Sequence, residues 1–357
     1  MNARGRMALL DWLDRGALEP SRKLEDRVFS CMLCGACASL CPREIDVTGV
    51  IYEARKRLFR RNTRRRFFSY GVRFALKRAS ALFRWARALR GVGALVPGQS
   101  LKLLRALNGL DISITSSPLR EGSTIYRAPR AKGRVAVFAG CTVNYLYPDM
   151  GKALIASLNR AGYDVVLPKG EVCCGAPLLA LGLEEDAAAM MRKNVAVFRA
   201  LHVQAVLSLC PTCVGFITGE SERLIGSSVE NSEEITRFLL RERSAGDPKS
   251  ASPKFPADTK VLYHDPCHTL YHLKTRKEPR ELLRSLGYTL VEPKDRGCCG
   301  FGGTFRAFYP ALSEEILKQR VEDYSVADMV VTSCPNCVLQ FRARMKDKVV
   351  KHIIELV

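Results

Sequence analysis

The sequence predicts an α/β protein in which duplicated parallel-sheet cysteine-rich domains follow a small helical module with its own cysteine run. Three observations predict it. A strand–helix–strand rhythm occurs twice after residue 133, as a parallel sheet requires. Cysteines fall at matching offsets in both rounds. Ahead of them, Cys31-x-x-Cys34-x-x-Cys37-x-x-x-Cys41-Pro42 lies among short helical segments.

Residues 1–52 read as the helical module, with helices expected over 7–13 and 24–29. Residues 53–111 form a basic helical region with breaks expected at Gly71, Gly91 and Pro97-Gly98. Residues 112–133 read as a linker, marked by Ser116-Ser117-Pro118, Pro129 and Gly133. The first cysteine-rich domain spans 134–240, with strands over 134–139, 163–167 and 205–209 and helices over 152–160 and 187–200. After a polar linker (241–260), the second spans 261–357. Its strands are expected over 261–264, 289–292 and 329–332, and its helices over 279–286 and 312–324.

Cysteine offsets make the duplication concrete. Cys141 lies 32 positions before Cys173-Cys174, and Cys210 lies 36 after Cys174; Cys267 lies 31 before Cys298-Cys299, and Cys334 lies 35 after Cys299. Both rounds end in C-P-x-C, as Cys210-Pro211-Thr212-Cys213 and Cys334-Pro335-Asn336-Cys337.

All 14 cysteines of the 357-residue chain belong to these three constellations. Disulfides fit them poorly. The chain is too large to need staples, its first ten residues lack the profile of a secretory signal, and adjacent cysteines suit one metal better than two crosslinks. No run reaches the ~20 uninterrupted apolar residues of a membrane span. The expected location is the cytoplasm, or peripherally the cytoplasmic face of a membrane.

The formal charge of +20 is unevenly placed: residues 54–110 hold no acidic residue. Arginines and lysines there, among them Arg55, Arg65 and Lys77, are interleaved with Phe59, Phe67, Tyr70, Phe74 and Trp85. A solvated helical face, a polyanion-binding patch and an amphipathic surface lying on anionic lipid or an acidic partner are the readings weighed. The last is preferred, and no nucleic acid is expected.

Cysteines two residues apart around Gly35 can reach neighbouring irons of a cubane, and the run is the bacterial ferredoxin signature. The expectation is a ferredoxin-like iron–sulfur module with a [4Fe–4S] cubane on Cys31, Cys34, Cys37 and Cys41, since zinc prefers paired knuckles across a longer loop. In two-run modules the fourth cysteine serves the other run's cluster. Cys41 therefore either closes a lone cluster or awaits a second run, encoded in frame upstream or carried by a separate small subunit. The two later sets each offer five thiols at the carboxyl ends of strands, where open α/β sheets build sites. One or two further iron–sulfur clusters, a cubane or a zinc ion with a spare thiol per set all satisfy that count. Gly175 and Gly300-Phe301-Gly302-Gly303 would let backbone amides approach a cluster. His264, His268 and His272 surround Cys267 and are the candidates for proton transfer or for hydrogen bonds to cluster sulfur. On a helix, His268 and His272 would share a face.

The doubled pattern Cys141…Cys173-Cys174-Gly175…Cys210-x-x-Cys213 and Cys267…Cys298-Cys299-Gly300…Cys334-x-x-Cys337 resembles the CCG domains of heterodisulfide reductase catalytic subunits. It also resembles the iron–sulfur subunits of glycolate and lactate oxidation complexes and of anaerobic glycerol-3-phosphate dehydrogenase. The resemblance implies a non-cubane [4Fe–4S] cluster on Cys141, Cys173, Cys174, Cys210 and Cys213, and another on Cys267, Cys298, Cys299, Cys334 and Cys337. It implies an oxidoreductase component that relays electrons from a flavoprotein partner, which carries the FAD, towards quinone or a membrane subunit. The alternative it implies is a catalytic subunit that reduces a disulfide. Residues 2–7 resemble the linker between two ferredoxin runs. The intact final C-x-x-C keeps the fuller cluster complement.

Overall fold

Alternation along one strand divides the molecule into two cores. In and after β2 (Gly133–Val137), Val135, Val137 and Ala139 face one apolar cluster, while Ala136 and Phe138 face another. Successive side chains of a strand point to opposite faces, so a sheet with both faces covered reads as a continuous apolar run. The computed structural model describes residues 2–59, 63–78, 81, 118–119, 122–244, 254–256 and 258–357.

Five helices lead: α1 (Ala3–Asp14), α2 (Arg22–Phe29), α3 (Ala36–Ser39), α4 (Val47–Leu58) and α5 (Thr63–Lys77). Asn2, Ser21 and Asp46 cap α1, α2 and α4 by accepting a first-turn backbone N–H. Helix α4 crosses the expected boundary at residue 52. Helix α5 runs through Gly71, against the expected break: a mid-helix glycine costs about 1 kcal/mol, against which stand the Arg65–Glu25 ion pair and the packing of Arg65 on Phe29 and Phe308. Gly91 and Pro97-Gly98 lie outside the described residues.

The first sheet contains β1 (Thr124–Tyr126), β2, β3 (Tyr163–Leu167), β4 (Val206–Ser208) and β5 (Ser232–Glu234), in the order β1-β3-β2-β4-β5. Strand β1 is an antiparallel edge and the other pairings are parallel, so this sheet is mixed. The second contains β6 (Lys260–His264), β7 (Thr289–Val291), β8 (Met329–Thr332) and β9 (Val349–His352), in the order β7-β6-β8-β9 and wholly parallel. Three strands go beyond the sequence reading. Strand β1 lies in the segment that reads as linker, β5 is the polar run Ser232-Glu233-Glu234, and β9 follows the last helix.

One core spans both rounds, joining Leu154, Leu158 and Leu207 to Val261, Val330, Phe341 and Ile354. The other ties the N-terminal helices to the first round, bringing Val28, Ile51 and Leu58 against Phe138, Leu178 and Met191. Among the described residues no helix is long and apolar enough to cross a membrane.

Candidate metal centre

Parallel strands bring their carboxyl ends to one edge of a sheet, and the cysteines follow from that. Cys141 and Cys267 come shortly after β2 and β6, and Cys210 and Cys334 come two residues after β4 and β8. Each C-P-x-C then opens a helix, Pro211–Gly215 or Pro335–Arg344, with proline in the first turn, where it costs no hydrogen bond. Cys213 and Cys337 thereby fall in a helical first turn, where their own backbone N–H groups reach the Cys210 and Cys334 sulfurs.

The Cys-Cys loops are held from behind. Asn194 accepts from Val172 N–H and donates to the Cys173 carbonyl. In the second round Gln340 donates to the Cys299 carbonyl at 3.3 Å. Gly175 and Gly300 have φ of +96° and +83°, and a Cβ there would meet the Ala187 or Ser313 carbonyl at 3.1 or 2.8 Å. Glycine is required at both positions by the turn and by the neighbouring helix. The Gly300 N–H also points at Cys298 Sγ, 3.5 Å away.

All ten cysteines of the two sets line one cavity. Cys299 and Cys337 Sγ are 3.3 Å apart, and Cys267 and Cys298 Sγ are 4.0 Å apart. The rounds meet here: Thr142 Oγ1 donates to Asn336 Oδ1 at 2.9 Å, and Asn336 Nδ2 lies 3.9 Å from Cys210 Sγ.

Crowding splits the thiols by ionisation. Cys174 is drawn down to about 6 by thiol donors Cys173 and Cys213. Cys210 is lowered by Cys213 and Cys334, and Cys298 by Cys267 and Cys299. Their neighbours are raised: Cys213 chiefly by Cys174, Cys267 chiefly by Cys298, and Cys337 chiefly by Cys299. Buried thiolates this close repel, so a metal-free set holds only part of its charge. Multivalent iron would let all five sulfurs of a set ionise. By sulfur donors, spacing and charge, the sets fit an iron–sulfur centre.

The N-terminal run stands beside the second set. Cys31, Cys34 and Cys37 are mutual neighbours, and Cys34, pushed up to about 11 chiefly by burial, also feels Cys298. Cys41 is half-buried, and backbone N–H groups of Ile45 and Arg43 lower its thiol. Leu33 adopts φ +57° where the loop turns around the run.

The three histidines have different surroundings. His264 is fully buried, and burial lowers it to about 4. Its Nδ1 is 2.6 Å from the Tyr324 hydroxyl, and its buried Nε2 has no hydrogen-bond partner. Ligand atoms of His264, Cys299 and Cys337 lie within 4.8 Å of one another. His268 Nδ1 is 3.5 Å from Cys267 Sγ. His268 and His272 belong to a π-helical turn, His268–His272, and their rings stack at 4.5 Å. The His272 imidazole presses on the run's loop, where a Cβ at Gly35 would fall 2.3 Å from Nε2.

Sequence reasoning missed two arginine clamps. Arg55 is buried and donates to the Cys31 carbonyl, to Phe29 O at 3.2 Å and to Ala180 O at 2.7 Å. It joins the cysteine loop to the first round. Arg65 is buried against Glu25 at 2.7 Å and stacks on Phe29 and Phe308. In sequence both belong to the stretch that reads as basic surface. Arg73 and Lys77 pair with Asp186, and Lys56 with Glu184, so part of the positive charge is answered within the chain. A run of basic residues without local acids is the available signal, but the partners of these three lie over 100 residues away.

Residues 135–218 and 261–342 match the cysteine-rich domain family, CCG. An uncharacterized iron–sulfur protein of Methanocaldococcus jannaschii is 29% identical over 90% of this chain and 58% of its own length. A subunit of the fumarate reductase (CoM/CoB) of Methanothermobacter marburgensis is 28% identical over 93% of this chain and 61% of its own. A probable glycolate oxidase iron–sulfur subunit of Bacillus subtilis is 27% identical over 95% of this chain and 82% of its own. The chain spans about three-fifths of the length of the two archaeal relatives.

Proposed function

Because this chain is a cysteine-rich CCG-domain iron–sulfur protein, related to iron–sulfur subunits of fumarate reductase, glycolate oxidase, anaerobic glycerol-3-phosphate dehydrogenase and lactate-utilization-type complexes, we propose that it is an electron-transfer subunit. Its complex would be a flavin-linked dehydrogenase or membrane-associated redox assembly of the 2-hydroxy acid or glycerol 3-phosphate type. Electrons would pass from a flavoprotein partner, which holds the FAD, towards quinone or another carrier. The observation that carries this reading is the shared cavity, lined by ten thiols and bordered by the N-terminal run.

Cys31, Cys34, Cys37 and Cys41 would hold a [4Fe–4S] cubane. Each five-thiol set would hold a further cluster, cubane or non-cubane. Bound there, clusters supply one-electron oxidation and reduction. The chain's own part is to exclude water with Met32, Leu33, Tyr52 and Phe216, to aim backbone N–H groups at sulfur, and to keep the three sites adjacent. Docking on an anionic membrane surface through the basic helical region is part of this proposal.

A second reading, reduction of a disulfide by a heterodisulfide-reductase-like catalytic subunit, is favoured by one observation. Cys210 and Cys334 interact across the boundary between the rounds, so both sets face one cavity.

Anaerobic purification with iron, sulfide and zinc quantitation, followed by EPR of each Cys→Ser variant, tests the main reading. The expected iron content is well above the ~4 atoms of one cubane, with signals that change in all three cysteine groups. Zinc filling the sets, with iron confined to the N-terminal run, would sink it. Reduction of a mixed disulfide by the purified chain, with an artificial electron donor and no flavoprotein, would move the assignment to the second reading.

A further inference from the structure

The two rounds are alike in their cysteines but not in what stands behind them. Three positions before the first cysteine, the first round has Phe138 and the second has His264. Phe138 is buried and packs on Phe198, with ring centroids 5.4 Å apart. His264 is equally buried, yet its Nε2 meets no hydrogen-bond donor or acceptor. Leaving a polar atom unmatched in a dry interior is costly. Such an atom calls for an explanation.

Its surroundings supply one. Nδ1 is tied to Tyr324 Oη at 2.6 Å, and Phe341 stands edge-on to the ring at 4.8 Å, so the imidazole orientation is set. Nε2 is left as the free ring nitrogen, and a ring nitrogen of His264 lies within 4.8 Å of the Cys299 and Cys337 sulfurs. A histidine beside a thiol pair, with one nitrogen fixed by an oxygen and the other without a partner, has the arrangement of a metal ligand with its supporting partner. Tyr324 then accepts the Nδ1 proton, and the Nε2 lone pair is available.

We propose that His264 is a nitrogen ligand, alongside Cys299 and Cys337, of the metal centre in the second round, and that the first round has no counterpart. This rests on the reading that the second round carries an iron–sulfur centre. The two centres therefore differ in their ligands, and the second is the one that adjoins the N-terminal run.

The test uses the full chain, labelled with 15N-histidine and reconstituted anaerobically with iron and sulfide. First-round cysteines Cys174 and Cys213 are changed to serine, so that the first-round signal is removed. Electron–nuclear double resonance is expected to show the strong nitrogen coupling of a bound imidazole. His264→Phe, which copies Phe138, should abolish that coupling while the thiols retain iron. His268→Phe should leave the coupling in place, and so should Tyr324→Phe. A second-round centre without nitrogen coupling, or one whose coupling survives His264→Phe, overturns the assignment. Should His264→Phe not fold, the labelled chain and its His268→Phe form still decide the matter. A chain that takes up no iron beyond the N-terminal run overturns the electron-carrier reading itself, and the ligand assignment with it.

Discussion

Single buried charges show how the fold accommodates its polar groups. Glu234 closes β5, accepts from Thr236 N–H at 2.8 Å, and leaves its other oxygen without a partner. Burial raises it from 4.5 to about 7. Between those values the unfolded chain releases a proton that the folded one keeps. The stabilisation from this group is therefore complete at acidic pH and is lost as pH rises through about 7. Glu234→Gln keeps an acceptor for Thr236 without a charge to desolvate. Its unfolding free energy in urea should match the parent's near pH 4.5 and then pull ahead by about 1.4 kcal/mol per pH unit across the window. Equal midpoints at pH 5 and pH 8 would refute this. None of it is legible in the sequence, because Ser232-Glu233-Glu234 reads as an exposed polar run. The same blindness applies to Tyr324, which meets His264 from 60 residues away. The cysteines are legible because metal ligation imposes spacings that survive as sequence offsets.

At the scale of elements, α5 is the feature whose meaning the structure changes most. Its inner face carries Arg65 and Ser69, while Phe67, Tyr70 and Phe74 stand outward, with Phe67 83% exposed. Spaced at three and four residues, these aromatics form one stripe, flanked by Arg66 and by Arg78, whose guanidinium lies over the Phe74 ring at 5.0 Å. An aromatic stripe with basic flanks suits the headgroup region of an anionic bilayer. Flotation with phosphatidylserine-containing vesicles should capture the parent chain at physiological salt, and Phe67→Ser with Phe74→Ser should weaken capture several-fold. Neutral vesicles should retain little. Equal capture by both vesicle types, or none by either, would refute the membrane assignment. The amphipathic period is visible in the sequence, but which arginines turn inward is not. That choice is made by Glu25, Asp186 and the carbonyls of the cysteine loop.

Over the whole molecule, the strand order after β1 repeats from the first round to the second, and helix positions follow the sequence rhythm to within a few residues. What the rhythm could not convey is that the two rounds share a core and a cavity, since contacts such as His352 Nε2 to Leu209 O at 3.1 Å join positions 143 apart. That shared cavity governs how the protein can be matured. Before metal arrives, ten reduced thiols stand in one chamber, several within 4.0 Å of another. Cys174, Cys210 and Cys298 are poised as thiolates beside them. Dioxygen, as oxidant, would take two electrons and two protons from such a pair and leave a disulfide. Peptide mapping of metal-free chain exposed to air should find Cys267–Cys298 and Cys299–Cys337 links, with iron uptake lost until a dithiol reductant is added. Full uptake by the aerated chain without reductant would contradict this. The chamber thus imposes an order of events on the cell: iron and sulfide must be delivered while the newly made chain is still shielded from oxygen.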